Sequence, residues 1–189
     1  MTASALAASD WVIRFSRLVR PSGRVLDVAA GGGRHSAWFL RGNHSVVALD
    51  RDLGPLEWLA DSRLEKIQAD LELSEKWPLG DQTFDAVVVT NYLWRAIFDD
   101  IIGAVRPDGV LIYETFAEGN ELHGRPRNPA FLLEMGELLG RVAPKLTVVA
   151  FEQGYSALPS ARVVQRICAV GRARRSAECP LDPAPNRHD

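Results

Sequence analysis

Two aspartates and the glycines between them are the residues of this chain whose types and spacing could do chemistry. Asp27 stands near the end of the apolar run Val25 to Val28, and Gly31, Gly32 and Gly33 follow within six positions. Asp50 closes a second apolar run, Val46 to Leu49, 23 positions beyond Asp27. Adjacent glycines let the main chain turn sharply and approach a ligand closely, and a helix opening directly after them offers its first amides to that ligand. A carboxylate at the end of the second strand is placed to accept from both hydroxyls of a ribose. The pattern is that of a nucleotide-type site without the dinucleotide fingerprint. G-x-G-x-x-G laid on Gly31 and Gly33 needs glycine or alanine at position 36, where the chain has Ser36, and a carboxylate so near the turn repels a pyrophosphate. The ligand favoured there carries cationic groups and no phosphate.

A second concentration of functional groups lies between Glu114 and Pro129, where Glu121, His123, Arg125 and Arg127 crowd into a stretch with neither helical nor strand period. A long polar loop in a compact domain is usually functional or disordered. This one starts at the end of a predicted strand and is pinned by Asn128-Pro129, so it is read as covering the acceptor side of the site. His123 offers an imidazole, the side chain most used as a general base, and Arg125 and Arg127 have the planar donors that hold an anion. The same arginines could equally pair with Glu118 and Glu121.

The elements that must position these groups alternate between strand-length apolar runs and stretches of helical period, the α/β signature. Strands are predicted near 24–28, 45–49, 66–69, 84–90, 109–115, 146–152 and 162–170, the last two joined closely enough to form an antiparallel hairpin. Trp11, Val12, Phe15, Leu18 and Val19 recur at helical spacing after the cap Asp10, giving an N-terminal helix within 1–20 that covers the sheet. Further helices are predicted from Arg34 to Arg41, from Pro55 to Ala60, through Ile97 to Val105, and from Asn128-Pro129 through Phe131 to Leu139. Residues 1–170 read as a single domain and 171–189, rich in proline and without period, as a loose tail.

The chain has 189 residues, 47% apolar and 24% charged, with a net charge of −2. That is enough for one well-buried core, and it gives no general attraction to polyanions. Cys168 and Cys179 are isolated, which argues against a disulfide framework or a metal cluster and suits a reducing compartment. The absence of a long apolar run and of a basic leader leads to the expectation of a cytoplasmic protein without a membrane span.

On the segment VLDVAAGGG and the acid after the second strand, the chain resembles the class I S-adenosylmethionine-dependent methyltransferases over about residues 24 to 170. The resemblance implies a Rossmann-like seven-stranded sheet flanked by helices, its last strand antiparallel, and S-adenosyl-L-methionine as cofactor. It implies that Asp27, Gly31 and Gly33 border the methionine end, Asp50 the ribose, and Asp70 with Leu71 beside it the adenine, with Ala29, Arg51 and Asn91 also counted as cofactor-binding. Ala29 stands where the family pattern has its first glycine. Read together, Gly33-Arg34-His35-Ser36 and the segment Phe131 to Leu138 resemble the small tellurite-resistance-type methyltransferases, which adds Arg166 to His123, Arg125 and Arg127 as a candidate active-site group. The turn Ser156-Ala157-Leu158-Pro159 departs from that subgroup, which carries a histidine-arginine pair there. The function expected is methyl transfer to a small-molecule acceptor. A non-catalytic S-adenosylmethionine-binding partner protein stands as the alternative. Methylation of RNA, with Arg172, Arg174 and Arg175 as a phosphate-contacting patch, carries less weight.

Overall fold

The computed structural model describes residues 7–74 and 76–181. Its frame is a seven-stranded sheet of order β3-β2-β1-β4-β5-β7-β6. The strands are β1 Arg24–Val28, β2 Ser45–Asp50, β3 Leu64–Gln68, β4 Phe84–Thr90, β5 Val105–Phe116, β6 Thr147–Ser156 and β7 Arg162–Val170. β1 to β5 pair in parallel, and β7 runs antiparallel between β5 and β6. Every residue of β4 is buried, which is what the nearly unbroken apolar run FDAVVVT specifies at the centre of a parallel sheet covered on both faces. The order reverses between β1 and β4, so a crevice opens at their carboxyl ends, where open α/β sheets hold ligands.

All seven expected strands form. β5 starts earlier than expected because Phe84 pairs with Val105 and Ala86 with Val110, which loops residues 106–109, Arg-Pro-Asp-Gly, out of the ladder as a bulge. α1 (Asp10–Ser16) is capped by Ser9 and not by Asp10: the Trp11 amide donates to Ser9 Oγ at 3.2 Å. Its Trp11, Val12 and Phe15 bury against Val25, Val110, Ile112 and Cys168, a cover on one face of the sheet. α2 (Arg34–Arg41), α3 (Phe98–Gly103) and α4 (Glu137–Val142) complete the helices.

Two expected helices fail for identifiable reasons. In place of the helix from Pro55 to Ala60 there is one 3-10 turn, Gly54–Leu56. Leu56 is fully buried with Ala30 and Ala48, and Lys66 Nζ donates to its carbonyl at 2.7 Å, so the chain is drawn onto the sheet before a second turn forms. The helix expected from Asn128 to Leu139 is cut in two. Asn128 caps only the turn Pro129–Phe131, and α4 starts afresh after Gly136, whose φ is +72°. Between them Leu133 bridges to Ala117, and the Arg95 guanidinium donates to the carbonyls of Ala130 and Leu132, each at 2.8 Å, and to the Glu137 carboxylate.

The tail is also tighter than expected over its described part. Arg174 donates to the Leu18 carbonyl, Arg172 to the carbonyls of Pro144 and Lys145, and Cys179 is buried. Two of the three arginines of the supposed phosphate-contacting patch are therefore committed to the protein's own main chain. Residues 182–189 lie outside the described residues. Among the described residues no helix is long and apolar enough to cross a membrane.

Candidate functional site

The glycine turn joins β1 to α2 at the crevice. Ala29, Gly31 and Gly33 have φ of +53°, +53° and +73°. At Gly33 glycine is required twice over, since a Cβ there would meet Leu56 Cδ2 at 2.5 Å. Ala29 holds the left-handed conformation with a side chain, at a cost of about 1–2 kcal/mol. Three bonds fix the turn. The Gly31 amide donates to Asp50 Oδ2 at 2.7 Å, the Gly33 amide to the Ala30 carbonyl at 2.9 Å, and Trp58 Nε1 to the Gly32 carbonyl at 3.0 Å. The amides of Gly32, Arg34 and His35 have no partner among the described residues, which leaves three N–H donors on the turn and the first turn of α2.

Beneath these donors lies Asp27, 1% exposed. Its Oδ2 accepts from the Ser36 amide at 2.9 Å and the Ser36 hydroxyl at 2.6 Å. Burial strips water from the carboxylate and raises its pKa to about 6, outweighing the two Ser36 bonds and the nearby Arg34 guanidinium. A carboxylate held in this way gains from any cation brought beside it.

Next to the turn a cavity of about 300 Å³ is lined by Ala29, Asp50, Arg51, Ala69, Asp70, Leu71, Glu72 and Tyr92. Of the nine residues assigned to the cofactor from sequence, Ala29, Asp50, Arg51, Asp70 and Leu71 line this cavity, Gly31 and Gly33 belong to the turn beside it, and Asp27 of β1 lies beneath that turn. Asn91 is not among the residues that line the cavity. It is exposed, with φ +54°, and its amide donates to the Glu114 carbonyl. Tyr92, which the sequence offers beside Asn91 as a contact for cofactor or substrate, forms a wall of the cavity. Its hydroxyl is buried without a partner, and burial pushes its pKa well above the ordinary tyrosine value.

On the other side of the turn a buried polar cluster joins five elements. Glu114, near the end of β5 and 1% exposed, pairs with Arg166 of β7 at 2.6 Å and accepts from the Ser9 hydroxyl at 2.9 Å. The Ser9 amide reaches His35 Nε2 at 3.3 Å, and His35 Nδ1 lies 3.3 Å from the Thr90 hydroxyl at the end of β4. Burial, with help from Arg34, lowers the His35 pKa to about 3, so the ring stays neutral and serves as a joint between α1, α2 and β4. The antiparallel register sets Glu114 directly opposite Arg166. Of the four candidate catalytic residues, Arg166 is therefore built into the sheet beside the crevice.

The other three sit elsewhere. His123 is exposed and its ring lies 4.9 Å from that of Tyr155 in β6. Arg127 is exposed, with Nε 3.4 Å from the Gly124 carbonyl, and Arg125 is exposed. Their loop is held by Asn120, which is 1% exposed, accepts from the Val163 amide and donates to the Pro126 carbonyl. The loop thus leans on the β6–β7 hairpin and contributes nothing to the lining of the 300 Å³ cavity.

A family model described as a methyltransferase domain matches residues 25–109, the segment that holds the turn, both acids and β4. A demethylmenaquinone methyltransferase from Clavibacter sepedonicus is 30% identical over 119 residues, covering 57% of this chain and 47% of its own. The chain thus spans about half the length of that curated relative. Among solved structures, TehB from Haemophilus influenzae superposes with a TM-score of 0.70 at 15% identity, over 86% of this chain and 62% of that one. An S-adenosylmethionine-dependent methyltransferase from Mesorhizobium loti gives 0.67 at 15% identity, over 87% and 99%. The 1,6-didemethyltoxoflavin-N1-methyltransferase of Burkholderia thailandensis, solved with 1,6-didemethyltoxoflavin and S-adenosylhomocysteine bound, gives 0.61 at 21% identity, over 85% and 76%.

Proposed function

We propose that this chain transfers a methyl group from S-adenosylmethionine to a small-molecule acceptor, a reading supported by the methyltransferase-domain model that matches residues 25–109 and by the fold shared with TehB. The observation that carries the reading is Asp27, buried and held near pKa 6 beside three free main-chain amides. An amino acid headgroup supplies what both need, an ammonium for the carboxylate and a carboxylate for the amides. The adjoining cavity suits the nucleoside half. Asp50 and Asp70 offer acceptors to hydroxyl and amino groups, Leu71, Ala69 and Tyr92 offer flat apolar walls, and three carboxylates against one arginine disfavour phosphate.

When bound, S-adenosylmethionine supplies an electrophilic methyl carbon on a sulfonium. What the chain must add is alignment and the exclusion of water. Thr90, Glu114 and Arg166 stand on the far side of the turn, and we assign the acceptor to that end of the crevice. The loop with His123, Arg125 and Arg127 forms its outer rim, contacted by the part of the acceptor that lies farthest from the reacting atom. A small acceptor is supported by the menaquinone- and toxoflavin-directed relatives, and by the use of Arg172 and Arg174 inside the protein.

Calorimetric titration with S-adenosylmethionine, S-adenosylhomocysteine and NAD at pH 6, in buffers of different ionisation enthalpy, tests this. The first two are expected to bind and to release protons, since a cation beside Asp27 lowers its pKa. Binding of NAD alone, or of none of the three, overturns the reading.

A further inference from the structure

The bond from Trp58 to the glycine turn gives that site a component that neither the family pattern nor the sequence reading contains. Trp58 is 48% exposed, so burial of its ring does not account for its placement, and its one polar contact among the described residues is the Gly32 carbonyl at 3.0 Å. It is presented by a rigid piece of chain. Leu56, two residues earlier, is fully buried under Gly33, its carbonyl accepts from both Lys66 Nζ and the Leu59 amide, and its own amide donates to the Leu53 carbonyl. The peptide that Trp58 holds is one that would otherwise turn easily. It lies between Gly32 and Gly33, with Gly31 before it, and a peptide flanked by glycines rotates as a unit at little steric cost. In the structure both of its polar ends are gripped, the carbonyl by Trp58 and the N–H by the Ala30 carbonyl. Gly33 is also the N-cap of α2, and its carbonyl receives the Ala37 amide, so the orientation of this peptide sets the direction of the Arg34 and His35 amides.

We propose that Trp58 is a positioning residue for the cofactor headgroup: its indole N–H locks the Gly32–Gly33 peptide so that the free amides of the turn and of α2 are already arranged before the ligand arrives. The inference rests on the cofactor reading above. A turn free to rotate would be ordered at the expense of affinity, whereas a locked one is preorganised.

The test compares the wild type with Trp58→Phe, which keeps an aromatic ring and removes the N–H, and with Trp58→Ala. For each, the Kd of S-adenosylhomocysteine is measured by calorimetry and Tm by thermal unfolding. The Kd is expected to rise about three- to tenfold in both variants, by the same factor, with the Tm of Trp58→Phe unchanged. Once an acceptor is in hand, KM for S-adenosylmethionine rises by that factor with kcat unchanged. An unchanged Kd in Trp58→Phe overturns the proposal and leaves the cofactor reading standing. So does a loss of affinity confined to Trp58→Ala and parallel to a fall in its Tm, the behaviour of a packing residue. Failure of the wild type to bind S-adenosylhomocysteine removes both.

Discussion

The glycine turn and the loop from Ala117 to Asn128 carry comparable densities of functional groups, yet they are organised in opposite ways. In the turn the polar groups converge: Asp27 and three amides without partners among the described residues face one crevice, and Asp50 and Trp58 grip the main chain from outside. In the loop they diverge. His123 lies against Tyr155, Glu121 accepts from the Gly119 amide, Arg127 turns back to Gly124, and the element that fixes the loop is the uncharged, buried Asn120. A site is marked by polar groups held against their solvation preference, and a count of charges does not reveal that.

The largest effect that sharpens this contrast is expected from Asp27→Asn. A folded pKa of about 6 against an ordinary 3.8 means that the native state binds the proton more tightly than the unfolded chain, so stability falls as pH rises from about 4 to 6. Above pH 6 the buried charge costs on the order of 3 kcal/mol. Asparagine keeps an acceptor for Ser36 and lacks the charge, so the variant should gain that stability above pH 6 and almost none below pH 4. Denaturant titration across pH, taken as variant minus wild type, isolates the effect, because His35 works in the opposite direction. Its lowered pKa makes its contribution fade as pH falls from about 6.5 toward 3, equally in both proteins. The same variant should lose tenfold or more in affinity for S-adenosylhomocysteine at pH 8. A variant no more stable than wild type at pH 8 would break the claim that Asp27 is held at the expense of the fold.

A smaller change is expected at Ala29. Its φ of +53° decides the sign there, because relief of the left-handed strain outweighs the freedom that glycine adds to the unfolded chain. Ala29→Gly should stabilise by about 1 kcal/mol, visible as a rise of about 2–4 °C in Tm. No rise would mean that the strain is relieved elsewhere. The smallest effects belong to the loop. Arg125→Ala and Arg127→Ala, both exposed, should shift stability by no more than about 0.5 kcal/mol and leave the Kd of S-adenosylhomocysteine unchanged. For an anionic acceptor kcat/KM should fall up to about tenfold. If either variant weakens the cofactor, the two regions are coupled and the contrast fails.

The strands and the turn are legible in the sequence because their signals are local. The unbroken apolar stretch from Ala86 to Val89, three of its four residues β-branched, announces a buried strand without reference to any other part of the chain. Gly33 is legible for a related reason, since a turn with positive φ has few other solutions. The helix expected through Phe131 to Leu139 has a correct apolar period, but Arg95, more than thirty positions away in sequence, removes two of its carbonyls from the helical ladder. Trp58 and Ser9 escape sequence reasoning on the same account. Trp58 acts on Gly32, and Ser9 beyond its local cap of α1 acts on His35 and Glu114, all at least 26 positions distant, and neither periodicity nor spacing encodes such bonds. His35 stands in plain view after the glycines, but its neutrality comes from burial that only the packed α1 and β4 create.

The insertion of β7 between β5 and β6 has a consequence for the order of events during synthesis. Until residues 162–170 have left the ribosome, β5 has a partner on one side only, and its edge from Val110 to Phe116 is open. An unguarded strand of this composition pairs readily with other chains. The carboxylate of Glu114 also waits for Arg166 and so for the last strand. The glycine turn and the cavity beside it are complete in the first half of the chain, and the Glu114–Arg166 side of the crevice comes into being only with β7. On the proposed function, a nascent chain acquires the ligand site well before it acquires the place where the ligand would be used.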